Sequence, residues 1–112
     1  MKVAVIGSRT IKNFNLSEFL PEGTTELVSG GAAGVDTVAQ RYSDKTGIPI
    51  TVFRPKYDKY PPKRAPLMRN LEIIDYADIV LAFWDGKSRG TKYVIDNCRA
   101  RGKEVKIYLL ER

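Results

Sequence analysis

The stretch from Val28 to Asp36 combines the end of an apolar run, a cluster of glycines and the start of a helical pattern. Glycine lets a ligand approach the backbone amides closely, and a helix start directs unpaired N–H groups toward the same place. Such a loop favours binding of an anion, most often phosphate. The alternative is a tight turn whose small residues pack a helix on a strand. We expect ligand contacts from Ser29, Gly30, Gly31, Ala32, Gly34 and Asp36.

The Asp36 carboxylate falls in the first turn of the predicted helix. It either interacts favourably with the helix dipole or contacts the ribose or base of a ligand.

A second polar turn, Gly7 to Arg9, follows the first apolar run of the chain. The Ser8 hydroxyl could donate to a phosphate oxygen, and the Arg9 guanidinium could pair with it in a bidentate manner. The alternative is an ordinary polar turn with a solvated arginine.

A third such segment follows the apolar run that ends at Phe83. It lacks a lysine between the last glycine and the threonine, so it is not a P-loop of the Walker type. We expect a second anion site here, at a helix N-terminus, although an Asp-Gly pair alone is typical of an ordinary turn. Trp84 could stack on a base or pack in the core. The expected ligand contacts are Trp84, Asp85, Gly86, Ser88, Gly90 and Thr91.

Composition limits the classes of function. The chain has no histidine, which excludes Ser-His-Asp and Cys-His catalysis and any metal site built on imidazole. A net charge of +6, from 19 Lys and Arg against 13 Asp and Glu, favours anionic partners. The single Cys98 is expected in the core, and no apolar run could span a membrane. We therefore expect a cytoplasmic protein with no metal and no resident cofactor.

The pattern of apolar residues predicts one α/β domain over residues 1–112, because strands alternate with helices. A parallel sheet covered on both faces would place the three polar loops at one edge, where open α/β sheets bind ligands. The predicted strands are 3–6, 25–29, 49–53, 79–83 and 105–110. The predicted helices are 16–20, 33–45, 67–76 and one beginning near Thr91.

Between the third strand and the next helix lies an irregular connection, residues 54–66, with four prolines. Its alternation of basic and aromatic residues could follow a single-stranded nucleic acid. We favour a solvated loop instead, because prolines and Asp58 interrupt the pattern.

Taken together, the three polar loops and the Arg69-Asn70 pair resemble the SLOG superfamily over nearly the whole chain. That superfamily includes the DNA-processing protein DprA/Smf, the Lonely Guy phosphoribohydrolases and small YspA-like proteins, to which this chain is most similar. The resemblance implies a Rossmann-like, three-layer α/β/α domain with a mainly parallel five-stranded sheet that binds a nucleotide or nucleotide-derived ligand. It makes Arg69 and Asn70 site residues, and it is compatible with a homo-oligomer.

Lonely Guy enzymes carry a glutamate three residues after the threonine of their phosphate segment, whereas this chain has Val94 there. If the chain is a phosphoribohydrolase, the catalytic candidates are Arg69 with Asp85 or Glu72. The leading hypothesis is therefore ligand binding or sensing. The alternatives are hydrolysis of nucleoside monophosphates and binding of single-stranded DNA.

Overall fold

The computed structural model describes residues 1–110. Five strands form a single sheet in which every neighbouring pair is parallel. The strands are β1 (Lys2–Gly7), β2 (Glu26–Ser29), β3 (Ile50–Val52), β4 (Ile79–Trp84) and β5 (Val105–Leu109), and the helices are α1 (Val35–Thr46), α2 (Ala65–Tyr76) and α3 (Arg89–Ala100).

The order of the strands is β3-β2-β1-β4-β5. The chain therefore runs outward from β1 to one edge of the sheet and returns to fill the other side, beginning with β4. The neighbours at this reversal are aligned with Val5 opposite Leu81 and Gly7 opposite Phe83. In open α/β sheets the carboxyl ends of the two strands at such a reversal border the ligand-binding crevice.

Helices cover both faces of the sheet. Alternate residues of β1 divide between them, because successive strand side chains point in opposite directions. Val3 and Val5 pack with α1 on one face, whereas Ala4 and Ile6 pack with α2 and α3 on the other. The predicted three-layer α/β architecture is thus confirmed, and the sheet is entirely parallel.

The first predicted helix, 16–20, is wrong: this segment forms a single 3₁₀ turn over Leu16–Glu18. Asn15 caps it by accepting a hydrogen bond from the Ser17 amide at 3.3 Å. Pro21 follows too soon for an α-helical turn to continue. The next helix ends before Gly47, whose φ of 80° is a left-handed C-cap.

Cys98 lies on the buried face of α3 and is fully buried, as expected. This burial raises the pKa of its thiol to about 11. Within residues 1–110, we find no helix with the length and apolar character needed to cross a membrane.

Candidate functional site

A cleft of about 550 Å³ opens at the carboxyl edge of the sheet, between the ends of β1 and β4 and the first turns of the three helices. Ten of the predicted ligand contacts line it: Gly7, Arg9, Ala32, Asp36, Arg69, Asn70, Asp85, Ser88, Gly90 and Thr91. It is also lined by residues that we did not predict: Ile6, Thr10, Pro66, Leu67, Lys87 and Val94. The residues predicted as contacts that do not line it are Ser8, Ser29, Gly30, Gly31, Gly34, Trp84 and Gly86.

Asp85 holds the β4–α3 loop (residues 85–88) in shape. One carboxylate oxygen accepts hydrogen bonds from the amides of Lys87 and Ser88, at 2.8 and 2.9 Å. The other accepts from the Thr10 hydroxyl at 2.8 Å. These donors stabilise the ionised form, so they hold the pKa of Asp85 far below its usual range. A carboxylate with this many partners is a poor proton acceptor, which weakens its candidacy as a catalytic base.

Ser8 and Trp84 also form hydrogen bonds to the β4–α3 loop. The Ser8 hydroxyl is buried and accepts a hydrogen bond from the Asp85 amide at 3.1 Å. The Trp84 indole N–H donates to the Ser88 carbonyl at 3.0 Å. Both side chains therefore position the loop, and the packing alternative for Trp84 agrees with the structure.

The first turn of α3 borders the cleft. Ser88 is the N-cap, and its hydroxyl oxygen accepts from the Thr91 amide at 3.3 Å. The amides of Arg89 and Gly90 have no acceptor within the helix, as holds for any helix start. Ser88 and Gly90 both line the cleft, so this turn presents backbone donors and the positive end of the helix dipole to its interior.

Two amides of the β2–α1 loop (residues 30–34) donate within the protein. The Gly31 amide donates to the Ser29 hydroxyl oxygen at 3.3 Å, and the Ala32 amide donates to the Asp36 carboxylate at 2.9 Å. Gly34 has a φ of 76°, and a Cβ there would lie 2.6 Å from the backbone of Arg9. The glycine therefore lets this loop pack against the turn after β1.

Asp36 lines the cleft at the first turn of α1. Burial raises the pKa of its carboxyl, and this effect outweighs the opposing influence of the Ala32 amide and of the Arg69 and Arg9 guanidinium groups. Asp36 and Asp85 thus lie in the same cleft with pKa values shifted in opposite directions.

Arg69 is a buried residue, with 7% of its surface exposed. Its Nε donates to the Asn70 side-chain oxygen at 2.8 Å, and one terminal nitrogen, Nη1, donates to the Gly30 carbonyl at 2.5 Å and the Phe53 carbonyl at 3.4 Å. A Cβ on Gly30 would lie 2.6 Å from that nitrogen. The glycine at position 30 therefore makes room for the guanidinium group. Burial lowers the pKa of Arg69, yet an arginine stays charged in proteins.

Glu72 lies outside the cleft lining and forms an ion pair with Lys56 at 3.2 Å. The structure therefore does not bring this candidate together with Arg69 and Asp85 in the cleft. Tyr57, in the irregular connection, is 60% exposed. Binding of single-stranded DNA by that connection stays a prediction, as does hydrolysis of a nucleotide.

Within the described part of the chain, no group of three acidic, cysteine or histidine side chains could hold a metal ion. Comparison of the chain with protein-family models, with curated proteins and with solved structures finds no match.

Proposed function

We propose that this protein binds a nucleotide or nucleotide-derived ligand in the cleft, with a phosphate group against the first turn of α3. The observation that carries the proposal is Gly90. It lies in the first turn of the helix and lines the cleft, and a Cβ added there would meet no atom within 4 Å.

Glycine within a helix costs roughly 0.5–1 kcal/mol of stability relative to alanine. At Gly7, Gly30 and Gly34 a neighbouring group of the protein occupies the space that a side chain would need. No protein contact explains Gly90 in this way. A ligand that must approach the amides of this turn closely explains why position 90 is a glycine.

The charge around this turn supports an anionic ligand. Lys87 and Arg9 line the same cleft, and the helix start contributes a positive partial charge. The negative charge of Asp85 is already neutralised in part by the loop amides and the Thr10 hydroxyl. A phosphate group therefore finds cations and unpaired N–H donors together.

The remaining walls suit the organic part of a nucleotide. Ile6, Pro66, Leu67 and Val94 provide apolar surface, against which a planar base can pack. A volume of about 550 Å³ lies in the range of small-molecule sites. The polar groups would then fix the orientation of the ligand.

The test begins with thermal denaturation in the presence of nucleoside mono-, di- and triphosphates, NAD, ADP-ribose, cyclic nucleotides and short single-stranded DNA. A ligand that binds only the folded state, present at 100 times its dissociation constant, adds about 2.7 kcal/mol of stability. We expect stabilisation by at least one nucleotide. Stabilisation by DNA alone would instead favour the irregular connection as the binding surface.

The affinity of that nucleotide is then measured calorimetrically for Gly90→Ala and for a control, Asn97→Ala, which also introduces alanine into α3 but lies outside the cleft lining. We expect Gly90→Ala to weaken binding about tenfold or more, which is about 1.4 kcal/mol, while the folded state stays intact. The control should bind normally. Equal affinities in the two variants would contradict the proposed phosphate position.

A further inference from the structure

Arg69 and Asp36 carry opposite charges and line the same cleft, and each influences the pKa of the other. They nevertheless do not pair directly. Within residues 1–110 the ion pairs with N···O distances up to 4.0 Å are Lys56–Glu72, Lys92–Asp96 and Arg101–Asp75. A buried cation and a partly buried carboxylate are thus kept apart at the floor of the cleft.

Each of these groups retains unused hydrogen-bonding capacity. The guanidinium carries five N–H donors, and the bonds described above involve only its Nε and Nη1 atoms. The other terminal nitrogen, Nη2, donates to no side chain or carbonyl of the described residues. No buried side-chain nitrogen or oxygen in these residues lacks a partner, so this nitrogen keeps some exposed surface, and Arg69 lines the cleft. The carboxylate of Asp36, with about four lone-pair sites, accepts a hydrogen bond from the Ala32 amide at 2.9 Å. It also lies close enough to the Gly30 amide for that N–H to lower its pKa, and the two donors leave lone pairs free.

A ligand group that bonds to both side chains must accept a hydrogen bond from the Arg69 guanidinium and donate one to the Asp36 carboxylate. A hydroxyl does both, whereas a carbonyl or phosphate oxygen only accepts and an ammonium only donates. Two hydroxyls on adjacent carbon atoms could use both carboxylate oxygens. Among the parts of a nucleotide, each of the ribose 2′- and 3′-hydroxyls has this chemistry at a single atom. The edge of a base offers a donor and an acceptor on separate atoms, but it is the same in ribo- and 2′-deoxyribonucleotides.

We infer that Asp36 and Arg69 together form a subsite for the ribose hydroxyls, which makes the site selective for ribonucleotides over 2′-deoxyribonucleotides. This inference rests on the proposed function, because the phosphate against α3 is what directs the sugar into the cleft. Asp36 is the specificity-determining residue, since its carboxylate can only accept a hydrogen bond. Arg69 supplies the complementary donor.

The test compares calorimetric affinities for AMP and 2′-deoxy-AMP, and for CMP and 2′-deoxy-CMP, so that the sugar comparison does not depend on one base. The proteins are the unmodified chain, Asp36→Asn and Asp44→Asn. The Asp44 variant is a matched control, because it removes one carboxylate from the same helix at an exposed position outside the cleft. We expect the unmodified chain and the control to prefer the ribonucleotides about tenfold or more, because a missing hydroxyl leaves buried polar groups unsatisfied.

In Asp36→Asn that preference should fall to about twofold or less, since the amide that replaces one carboxylate oxygen donates instead of accepting. Equal affinity of the unmodified chain for ribo- and deoxyribonucleotides would overturn the ribose subsite. It would not contradict the proposed phosphate site at α3. An unchanged preference in Asp36→Asn would overturn the role of Asp36. If none of the four nucleotides binds, while the folded state is confirmed by circular dichroism, the subsite fails. The parent proposal fails with it only when no ligand of the thermal screen binds either.

Discussion

The two glycine-containing loops that flank the cleft look alike in the sequence but differ in what their small residues do. In the β2–α1 loop, Gly30 makes room for the Arg69 guanidinium and Gly34 for the backbone of Arg9. The Ala32 amide already donates to Asp36. At the start of α3, Gly90 faces open space and the helix start keeps unpaired donors.

This difference shows that a glycine cluster in a sequence does not by itself identify a phosphate site. The cluster with more glycines uses them to pack protein on protein. Gly90, a helical glycine at which an added Cβ would meet no atom within 4 Å, is the stronger indication of a ligand. The four predictions that follow separate these two roles, in order of decreasing effect.

The largest effect is expected for Gly34→Ala. A side chain at a φ of 76° is strained, and its Cβ would lie 2.6 Å from the Arg9 backbone. Backbone strain and overpacking together cost roughly 2–4 kcal/mol, which urea denaturation would detect as a lower free energy of unfolding. A variant as stable as the unmodified chain would show that the loops do not need this contact.

Ser88→Ala removes the N-cap of α3. Loss of such a cap costs about 1 kcal/mol, so the midpoint of thermal unfolding should fall by roughly 4–8 °C for a domain of about this size. It should also weaken nucleotide binding, because the first turn of α3 loses its fixed geometry. Ser29→Ala is the matched change beside the other loop, and normal binding by that variant supports the comparison. Weakened binding in Ser29→Ala but not in Ser88→Ala would contradict the comparison and indicate that the β2–α1 loop binds the phosphate.

Gly90→Ala should have a smaller effect on stability and one of opposite sign. The unfolding free energy should rise by a few tenths of a kcal/mol up to about 1 kcal/mol, because alanine favours the helix and no atom obstructs its Cβ. Urea denaturation of the unliganded protein measures this. A loss of stability would mean that this glycine, too, has a structural reason, which removes the main support for the phosphate site.

The last prediction concerns the sign of a pH dependence, since a carboxyl whose pKa differs between the folded and unfolded states changes stability only between those two pKa values. The pKa of Asp36 is raised by burial, so the folded state binds more protons and its stability falls as pH rises from about 3.8 through the raised pKa. Asp36→Asn should remove this decrease. The pKa of Asp85 is lowered, so its contribution is present above about 3.8 and is lost as pH falls toward the lowered pKa.

Asp85→Asn should therefore destabilise the protein at neutral pH, and the difference from the unmodified chain should shrink in acid. Urea denaturation between pH 3 and pH 7 measures both slopes. Slopes of the same sign for the two aspartates would contradict the assigned environments.

Much of the fold could be predicted from the sequence, because buried parallel strands give continuous apolar runs such as 3–6 and 79–83. The pattern of α3 also predicted its buried face, with Thr91, Val94 and Cys98. The 3₁₀ turn after β1 could not be predicted, since its capping residue gives the same signal in a short helix.

The site was harder to predict than the fold. Loop positions identified the edge of the sheet at which the cleft opens, but residue types did not show that Asp85 binds its own loop or that Arg69 is buried. Arg69 lies four residues from each of the buried residues Ala65 and Ile73, so helical spacing places it on the buried face of α2, but its charge favoured an exposed position. Pro66, Leu67 and Val94 line the cleft as ordinary apolar residues of two helices. Only their three-dimensional arrangement shows that they face a cavity.

The most direct test of the central claim follows the backbone amides of both loops by two-dimensional ¹⁵N–¹H NMR during titration with the nucleotide that stabilises the protein most. We expect the largest shifts at Arg89 and Gly90, because these amides have no acceptor within the helix and lie in the turn proposed to receive the phosphate. The amides of Gly31 and Ala32 should change less, since they already donate within the protein. Larger shifts at Gly31 and Ala32 than at Gly90 would contradict the account and place the phosphate at the β2–α1 loop.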